Sequence, residues 1–315
     1  MKYCYSIDIG GTSIKYSLFD LSGRLLRSWT LRTNRAENGK YIVSDIAITL
    51  LADMDSESIQ KEELIGIGLG VAGTVTANGL VTVAPNLGWR NYPVREKLQQ
   101  LTGIPVFVLN DANAAALGEY AAVTEPVHSM IFITLGTGVG GGVIVDGNVI
   151  AGCQGAGGEI GHLHVEDRET QPCGCGGSGC LEQYSSATGV VRICRKFLLR
   201  DKEKRSVLHG QQELTARTIF DAWKDGDEVA AKSVECMASY LGKACAMVAC
   251  VVDPDLFVLG GGVANAGAPL LAAVEHYFFK YAYAGCKNNR FQLAILGEDA
   301  GMYGAARFVL QNKNQ

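Results

Sequence analysis

The chain has 315 residues, of which 48% are hydrophobic and 19% charged, and its formal net charge at pH 7 is −4. This composition is typical of a packed globular protein, and the length favours two domains over one large α/β unit. The small negative charge gives no positively charged surface of the kind that binds nucleic acid. Because no signal segment and no membrane-length apolar run is visible, the sequence predicts a cytoplasmic protein with no membrane partner.

The first half begins with a predicted β-hairpin built around a glycine turn. Residues 4–23, CYSIDIGGTSIKYSLFDLSG, alternate apolar and polar side chains on both sides of a Gly-Gly pair. Residues 40–59 show helical spacing, and a strand that ends in glycines follows at residue 64. Residues 105–120 then predict a buried strand, a polar elbow at Asn110 and Asp111, and an alanine-rich helix. The elbow lies at the carboxyl end of a strand, where open α/β sheets bind ligands.

The second half repeats this opening pattern. Residues 128–152, HSMIFITLGTGVGGGVIVDGNVIAG, predict a strand, a glycine turn, a second strand and a tight turn. Residues 215–252 predict helices, and residues 253–267 predict a strand that enters a third glycine turn. The chain closes with a strand and a helix that begins near Ala300. Two hairpins of one design indicate a duplicated, two-domain α/β architecture with a cleft between the halves.

The three glycine turns are candidate phosphate cradles. Glycines allow successive backbone N–H groups to point into one concavity, although the first turn matches neither Rossmann nor P-loop spacing. Each turn alone could be a structural hairpin, but two in matching places can hold a triphosphate, with Asp8 binding Mg²⁺ through water. The third turn can lie beneath an adenosine. The predicted nucleotide-binding residues are Asp8, Gly10, Gly11, Thr12, Lys15, Thr134, Gly136, Thr137, Gly138, Gly260, Gly261 and Gly262.

Seven motifs, taken in order, resemble those of the ROK family of repressors and sugar kinases, and above all those of bacterial ROK glucokinases. They are DIGGT, LNDANAAALGE, LGTGVGGG, GEIGH, CGCGGSGCLE, LGGGV and AGMYGAA, and they span residues 7–307. The resemblance implies a two-domain actin/hexokinase-like (ribonuclease H-like) α/β fold with ATP and sugar in the interdomain cleft. It also implies a smaller domain of residues 1–118 plus 301–315 and a larger domain of residues 119–300. The family often has proline and aspartate where this chain has Ala72 and Thr76.

Three of the ten cysteines form a spaced group that suggests a metal site. Together with one histidine they supply three sulfurs and one nitrogen, a set suited to tetrahedral Zn²⁺ with no position left for water, and hence to a structural metal. The alternative is a group of unconnected reduced thiols. His164 is a rival nitrogen ligand, but the resemblance favours His162. The predicted zinc ligands are His162, Cys173, Cys175 and Cys180.

The resemblance implies transfer of a phosphoryl group from ATP, bound with Mg²⁺, to the C6 hydroxyl of a hexose, with glucose as the expected substrate. Asp111 is the predicted general base, and the alternative role for it is to cap the helix that begins at Ala112. His162 would use one ring nitrogen for the metal and the other for the sugar. The predicted sugar-binding residues are Gly73, Asn86, Asn110, Asp111, Glu159, His162 and Glu182.

Two alternative functions remain open on the sequence alone. The first is a ROK kinase for N-acetylmannosamine, N-acetylglucosamine, fructose, allose or a β-glucoside, because these sugars differ at few positions. The second is a non-catalytic, sugar-sensing regulator, which is less favoured because the phosphate hairpin already begins at residue 7. The resemblance also implies a homodimer that binds sugar and ATP and no nucleic acid.

Overall fold

The computed structural model describes residues 2–313, which form a mixed α/β protein. The strands are β1 (Tyr3–Ile9), β2 (Ser13–Asp20), β3 (Leu25–Arg32), β4 (Leu64–Val71), β5 (Thr74–Val75), β6 (Val81–Ala84), β7 (Trp89–Tyr92), β8 (Val106–Asn110), β9 (Ser129–Leu135), β10 (Val139–Val145), β11 (Asn148–Val149), β12 (Leu256–Gly260) and β13 (Arg290–Leu293). The helices are α1 (Ala36–Gly39), α2 (Ile42–Ser56), α3 (Val94–Thr102), α4 (Asp111–Ala122), α5 (Glu182–Ser185), α6 (Ala187–Leu198), α7 (Ala216–Lys224), α8 (Glu228–Val252), α9 (Ala268–Tyr281) and α10 (Ala300–Asn312).

The chain divides into two compact units, each discontinuous in sequence. Unit 1 comprises Met1–Thr124, Gly142–Gly158 and Glu298–Gln315, and unit 2 comprises Glu125–Gly141 and Glu159–Gly297. Residues 1, 314 and 315, which the sequence assigned to the smaller domain, lie outside the described residues.

Unit 1 contains a five-stranded sheet with the order β3-β2-β1-β4-β8. The predicted hairpin is confirmed, since β1 and β2 are antiparallel with Asp8 opposite Lys15, and β3 extends it by one further antiparallel strand. β4 and β8 run parallel to β1, so their carboxyl ends meet at one edge of the sheet. Helix α2 covers this sheet with the fully buried side chains of Ile42, Ile46 and Leu50. A separate small sheet has the order β5-β6-β7.

The last helix, α10, packs against α4 and β4 at backbone contact distance. A Cβ atom on Gly304 would lie 1.7 Å from the carbonyl oxygen of Ala114, and one on Gly118 would lie 2.1 Å from that of Ala300. Only glycine permits such an approach, because any larger residue would force the helices apart. The contact fixes the helix that follows the Asn110–Asp111 elbow.

The second sheet has the order β11-β10-β9-β12-β13, and its neighbouring strands β9 and β10 are those of the predicted second glycine hairpin. β12 runs parallel to both β9 and β13, and its residues are all buried. In unit 2 the long helix α8 lies against α9, where a Cβ on Gly242 would meet the backbone of Val274 and Phe278. The helices predicted over residues 215–252 are observed as α7 and α8.

Helix α8 also corrects one expectation from the sequence. It is long and apolar enough to cross a membrane by length and composition, whereas no run of that kind was expected. Half of its most apolar window is buried inside the protein, and α8 contributes fully buried side chains such as Val234, Ala238 and Cys245 to unit 2. A buried core helix meets the same length and composition criteria as a membrane span.

Candidate functional site

The polar elbow lies where β8 ends and α4 begins. Asn110 is the N-cap of α4, because its side-chain oxygen accepts the backbone N–H of Asn113 at 3.1 Å. Its amide nitrogen donates to the carbonyl oxygen of Gly73 and to Asp111 Oδ1, both at 3.0 Å. Asp111 Oδ1 also accepts the backbone N–H of Ala112 at 2.9 Å. The capping residue is thus Asn110, and its amide and the Ala112 N–H help to orient the carboxylate of Asp111.

The first glycine turn, Gly10–Ser13, is held by a neighbouring segment of unit 1. The Thr33 hydroxyl donates to the carbonyl oxygen of Gly10 at 2.7 Å, and the Thr33 N–H donates to that of Thr12 at 2.9 Å. A Cβ on Gly11 would lie 3.1 Å from the Cβ of Asn86. The structure therefore brings the predicted phosphate turn against one of the predicted sugar-binding residues.

Asp8 and Lys15 face each other across the first hairpin. Burial raises the pKa of Asp8 above its usual value of 3.8, and the charge of Lys15 partly opposes this effect. A Cβ on Gly301, in the first turn of α10, would lie 3.3 Å from Asp8 Oδ2. Lys15 Nζ lies 2.9 Å from Asp299 Oδ1, so the predicted phosphate cation is part of an ion pair. A desolvated carboxylate beside a phosphate turn is suited to hold Mg²⁺.

The second glycine turn is hydrogen-bonded to the start of α6 in unit 2. The carbonyl oxygen of Gly136 accepts the N–H of Ala187 at 2.9 Å, and that of Thr137 accepts the Thr188 hydroxyl at 2.8 Å. A Cβ on Gly138 would lie 2.5 Å from Glu182 Oε2. The turn is thus fixed beside a residue predicted to bind sugar.

A cavity of about 600 Å³ in unit 2 brings the second and third glycine turns together. Gly136, Thr137 and Gly262 line it, whereas Thr134 and Gly260 pair within the sheet. Gly261 has a φ of +81° and packs against the backbone of Leu135. The remaining lining residues are Ala187, Ala216, Arg217, Phe220, Asp221, Lys224, Val263, Asn265 and Ala266. The volume and the mixture of one aromatic ring with polar groups suit a nucleoside.

None of these nine remaining lining residues had been predicted as a site residue from the sequence, and four of them share one face of a helix. Arg217, Phe220, Asp221 and Lys224 lie on one face of α7, at positions i, i+3, i+4 and i+7. In sequence, this spacing is also that of an ordinary amphipathic helix with a solvated face. Only the cavity distinguishes the two interpretations.

The predicted metal ligands converge in unit 2. The ligand atoms of His162, Cys173, Cys175 and Cys180 all lie within 4.8 Å of one another. Cys175 Sγ lies 3.6 Å from Cys180 Sγ, and Cys173 Sγ lies 3.8 Å from His162 Nδ1. A tetrahedral zinc with Zn–S bonds of about 2.3 Å separates its sulfurs by about 3.8 Å. The four side chains therefore fit this ion.

The loop between the ligands is shaped for such a site. Gly176 and Gly179 have φ values of +92° and +72°, so the chain reverses tightly between the sulfurs. The Gly177 N–H lowers the pKa of Cys175, which favours the thiolate form that binds metals. His164 is not part of the cluster, because its ring nitrogens bond the carbonyl oxygen of Ser178 and the carboxylate of Asp167, at 2.8 and 2.9 Å.

Both glutamates predicted to bind sugar lie beside the histidine of this cluster. Glu182 Oε1 accepts the Cys173 thiol at 3.0 Å and lies 3.9 Å from His162 Nδ1. Glu159 Oε2 lies 3.9 Å from the other ring nitrogen, Nε2. Cys173 and Glu182 are thus near Nδ1 of the ring, and Glu159 is near Nε2.

An ion-pair network, which was not identified from the sequence, anchors the cysteine loop to α6. Arg192 pairs with Glu169 in the loop and donates to the carbonyl oxygen of Gln183 at 2.8 Å. The Tyr184 hydroxyl donates to the same carboxylate at 2.6 Å. Burial alone would raise the pKa of Glu169, but hydrogen bonds from Tyr184, the Gln171 N–H and Arg192 lower it to about 2.

Comparison with known proteins gives a consistent result. The model of the ROK family matches residues 4–312. The chain is 39% identical to a glucokinase of Halalkalibacterium halodurans over 99% of this chain and 96% of the relative. It is 31% identical to an N-acetylmannosamine kinase of Shigella boydii over 96% of each.

A solved structure gives the same assignment. The ROK family glucokinase from Streptomyces griseus, in complex with glucose and AMPPNP, is 34% identical, with a TM-score of 0.78 over 98% of this chain and all of that one. The mixed α/β fold is accordingly that of the actin/hexokinase-like sugar kinases. Since the family model and relatives above 30% identity each match nearly the whole chain, the protein belongs to the ROK family.

Proposed function

We propose that the protein transfers the γ-phosphoryl group of ATP to the C6 hydroxyl of glucose, which yields glucose 6-phosphate. The observation that carries the proposal is the similarity to two glucokinases along nearly the whole chain. The cavity beside the second and third glycine turns supports a nucleotide as the phosphoryl donor. Phosphoryl transfer depends mainly on positioning and charge neutralisation, so a base, Mg²⁺ and two phosphate turns suffice.

Asp111 acts in this proposal as the general base that accepts the proton of the C6 hydroxyl. The Ala112 N–H and the Asn110 amide both donate to Oδ1, which orients the carboxylate. Asn110 is in turn fixed by the carbonyl oxygen of Gly73. A base held in this way can meet the hydroxyl without rotating into place.

The remaining site residues are assigned by their chemistry. Carboxylates suit neighbouring sugar hydroxyls because each accepts two hydrogen bonds, and backbone N–H groups of glycine turns suit phosphate oxygens. We assign sugar binding to Gly73, Asn86, Asn110, Asp111, Glu159, His162 and Glu182. We assign nucleotide binding to Asp8, Gly10, Gly11, Thr12, Lys15, Thr134, Gly136, Thr137, Gly138, Gly260, Gly261 and Gly262.

We further propose that the cysteine cluster binds structural zinc, with His162 Nδ1 as its nitrogen ligand. The distances among the four ligand atoms support this assignment. When bound, the metal would hold the loop whose ends carry Glu159 and Glu182. Cys175→Ala should lower the zinc content below one per chain, lower the melting temperature and weaken glucose binding together.

Cys153→Ala is the matched control for the zinc site, because Cys153 is exposed and outside the cluster. Metal analysis of both variants by mass spectrometry decides the point. Full zinc content in Cys175→Ala would remove this cysteine from the ligand set.

The substrate assignment is tested by an ADP-release assay with glucose, N-acetylmannosamine, N-acetylglucosamine, fructose, allose and a β-glucoside. We expect the highest kcat/KM with glucose. A higher value with N-acetylmannosamine would favour the second candidate function, for which the similarity to the Shigella boydii kinase is the supporting observation. Absence of ADP release with every sugar, together with sugar binding, would favour a sensing role.

We also propose a cytoplasmic homodimer with domains of residues 1–118 plus 301–315 and residues 119–300. Exposed apolar side chains in the helical part of unit 2, such as Val251 at 85% exposure, support self-association. Light scattering coupled to size exclusion measures the mass directly.

A further inference from the structure

A cavity of about 480 Å³ in unit 1 opens beside the first glycine turn. Its lining contains two arginines and no carboxylate; the lining residues are Gly11, Thr12, Arg32, Thr33, Asn34 and Arg35. None of the roles proposed above uses Arg32 or Arg35. Both side chains are exposed. They belong to the segment Arg32–Gly39, which runs from the last residue of β3 through the short, irregular α1 and which we call the arginine loop.

The guanidinium groups of Arg32 and Arg35 have no anionic partner within residues 2–313. The two nearest acidic residues in sequence are engaged elsewhere. Glu37 accepts the Lys40 ammonium at 3.0 Å and the Tyr41 hydroxyl at 2.8 Å, and Asp45 accepts the Asn34 amide at 3.0 Å. The positive charge of the pair is therefore uncompensated where it borders the cavity.

The arginine loop is fixed at both ends. At its start, buried Thr33 bonds the carbonyl oxygens of Gly10 and Thr12. At its end, Trp89 Nε1 donates to the carbonyl oxygen of Gly39, where a Cβ would lie 2.2 Å from the carbonyl oxygen of Leu87. The two arginines are thus held in place by contacts that do not involve their own side chains.

The backbone of the loop is also strained. Glu37, Asn38 and Gly39 have consecutive φ values of +49°, +56° and +70°. Two non-glycine residues in the left-handed region cost free energy, which the surrounding contacts must offset. Such strain is retained where a loop must hold one conformation.

The glycine turn contributes backbone donors to the same cavity. Across the described part of the chain, the N–H groups of Gly11 and Thr12 donate to no other residue, while the carbonyl oxygen of Thr12 accepts Thr33. Free N–H groups beside two guanidinium groups match the oxygens of a phosphoryl group, and arginine binds these in a bidentate way.

We propose that Arg32, Arg35 and the Gly10–Ser13 turn form a phosphoryl-binding subsite in unit 1. Its ligand is either the far phosphate of a linear polyphosphate chain or the phosphate of a hexose 6-phosphate, which present the same oxygens. The inference rests on the proposed function only because that function also assigns this turn to phosphate.

The test measures binding by calorimetry, with sodium tripolyphosphate and glucose 6-phosphate as separate probes in a phosphate-free buffer. We expect Arg32→Ala/Arg35→Ala to weaken binding of at least one probe by tenfold or more. Loss with tripolyphosphate alone identifies the chain as the ligand, and loss with glucose 6-phosphate identifies the sugar phosphate. Arg32→Lys/Arg35→Lys should restore part of the affinity, because it keeps the charge but not the bidentate geometry.

Arg24→Ala is the control for loss of an exposed arginine elsewhere in unit 1. Arg24 lies in the turn after β2, at the other end of that strand from the glycine turn, and the substitution removes one of the two charges that the double variant removes. Three results would overturn the subsite. The wild type and the double alanine variant could bind both probes equally, the wild type could bind neither probe, or Arg24→Ala could lose as much affinity as the double alanine variant. Melting temperatures confirm that the variants are folded.

The ADP-release assay of the wild type separates this proposal from the proposed function. If the protein phosphorylates glucose but its anion binding does not depend on the arginine pair, only the subsite proposal is refuted. If it binds tripolyphosphate through the pair but releases no ADP with any sugar, only the proposed reaction is refuted.

Discussion

Asp111 is the single residue on which the proposed chemistry depends most. Asp111→Asn keeps an oxygen that can accept the Ala112 N–H, so the start of α4 should stay intact. The amide cannot accept the proton of the sugar hydroxyl, and kcat should fall by about 10³-fold or more. Glucose binding, followed by tryptophan fluorescence, should change less than tenfold.

The control for this substitution is Asp55→Asn, an exposed carboxylate at the end of α2. It removes the same charge without touching the elbow, and its kcat should equal that of the wild type. Turnover of Asp111→Asn within tenfold of wild type would remove the base assignment.

Gly262 provides a residue-scale test of the nucleotide cavity. It lines the cavity, and a Cβ placed on it meets no atom within 4 Å, so a larger side chain fits the fold and enters the empty space. Gly262→Leu should raise the KM for ATP by about tenfold or more and leave the melting temperature and the KM for glucose nearly unchanged.

Gly210→Leu is the control, because Gly210 is equally unobstructed and lies outside this cavity. Steady-state kinetics at varied ATP and fixed glucose compare the two variants. An unchanged KM for ATP in Gly262→Leu would place the nucleotide elsewhere.

At the scale of elements, the two glycine hairpins and the strand–elbow–helix segment were predictable because each carries its own local signal. Alternation of apolar and polar residues over most of their length marks β1 and β2, and a buried run followed by alanines marks β8 and α4. No element was predicted for residues 25–32, LLRSWTLR, where β3 lies, because polar residues interrupt the apolar pattern there. The network of Glu169, Tyr184 and Arg192 has no local signal, since its members are 8 to 23 residues apart.

That network should make the cysteine loop sensitive to loss of Arg192. Arg192→Ala leaves the Glu169 carboxylate buried without its cation, which we expect to lower the free energy of unfolding by about 3 kcal/mol. Zinc should also leave faster in the presence of a chelator. Arg195→Ala, an exposed arginine on the same helix, should change neither quantity. Equal unfolding curves for the two variants would contradict an anchoring role.

The same carboxylate predicts acid sensitivity of the loop. The folded pKa of Glu169, about 2, lies below its ordinary value of 4.5. Its contribution to stability is therefore complete above about pH 4.5 and is lost as the pH falls towards 2. Glu169→Gln should flatten this part of the stability curve, as measured by urea unfolding between pH 5 and 3. A curve parallel to that of the wild type would show that Glu169 makes no such contribution.

For the whole molecule, long-range packing carried the least sequence signal. The glycines of α4 and α10 resemble ordinary small residues in sequence, and only the structure shows that Gly118 and Gly304 lie at a backbone contact. The position of the arginine loop also has no local sequence signal, because the loop is attached to the first glycine turn through a single residue, Thr33. Contacts of this kind depend on the tertiary arrangement and not on local periodicity.

The α4–α10 contact can be tested by a substitution that forces the two helices apart. Gly304→Val would place a side chain where a Cβ already lies 1.7 Å from the Ala114 carbonyl oxygen, so the two helices must separate. Overpacking against rigid backbone should cost about 3 kcal/mol or more in unfolding free energy. Because Asp111 begins α4, kcat should fall as well.

Arg307→Val separates this clash from the low helix propensity of valine, because Arg307 is exposed on the same helix and the substitution costs only a few tenths of a kcal/mol. Urea unfolding and ADP release, measured on both variants, give the comparison. If Gly304→Val were as stable and active as Arg307→Val, the helices could separate without cost, and α10 would not be the support that holds the catalytic helix in place.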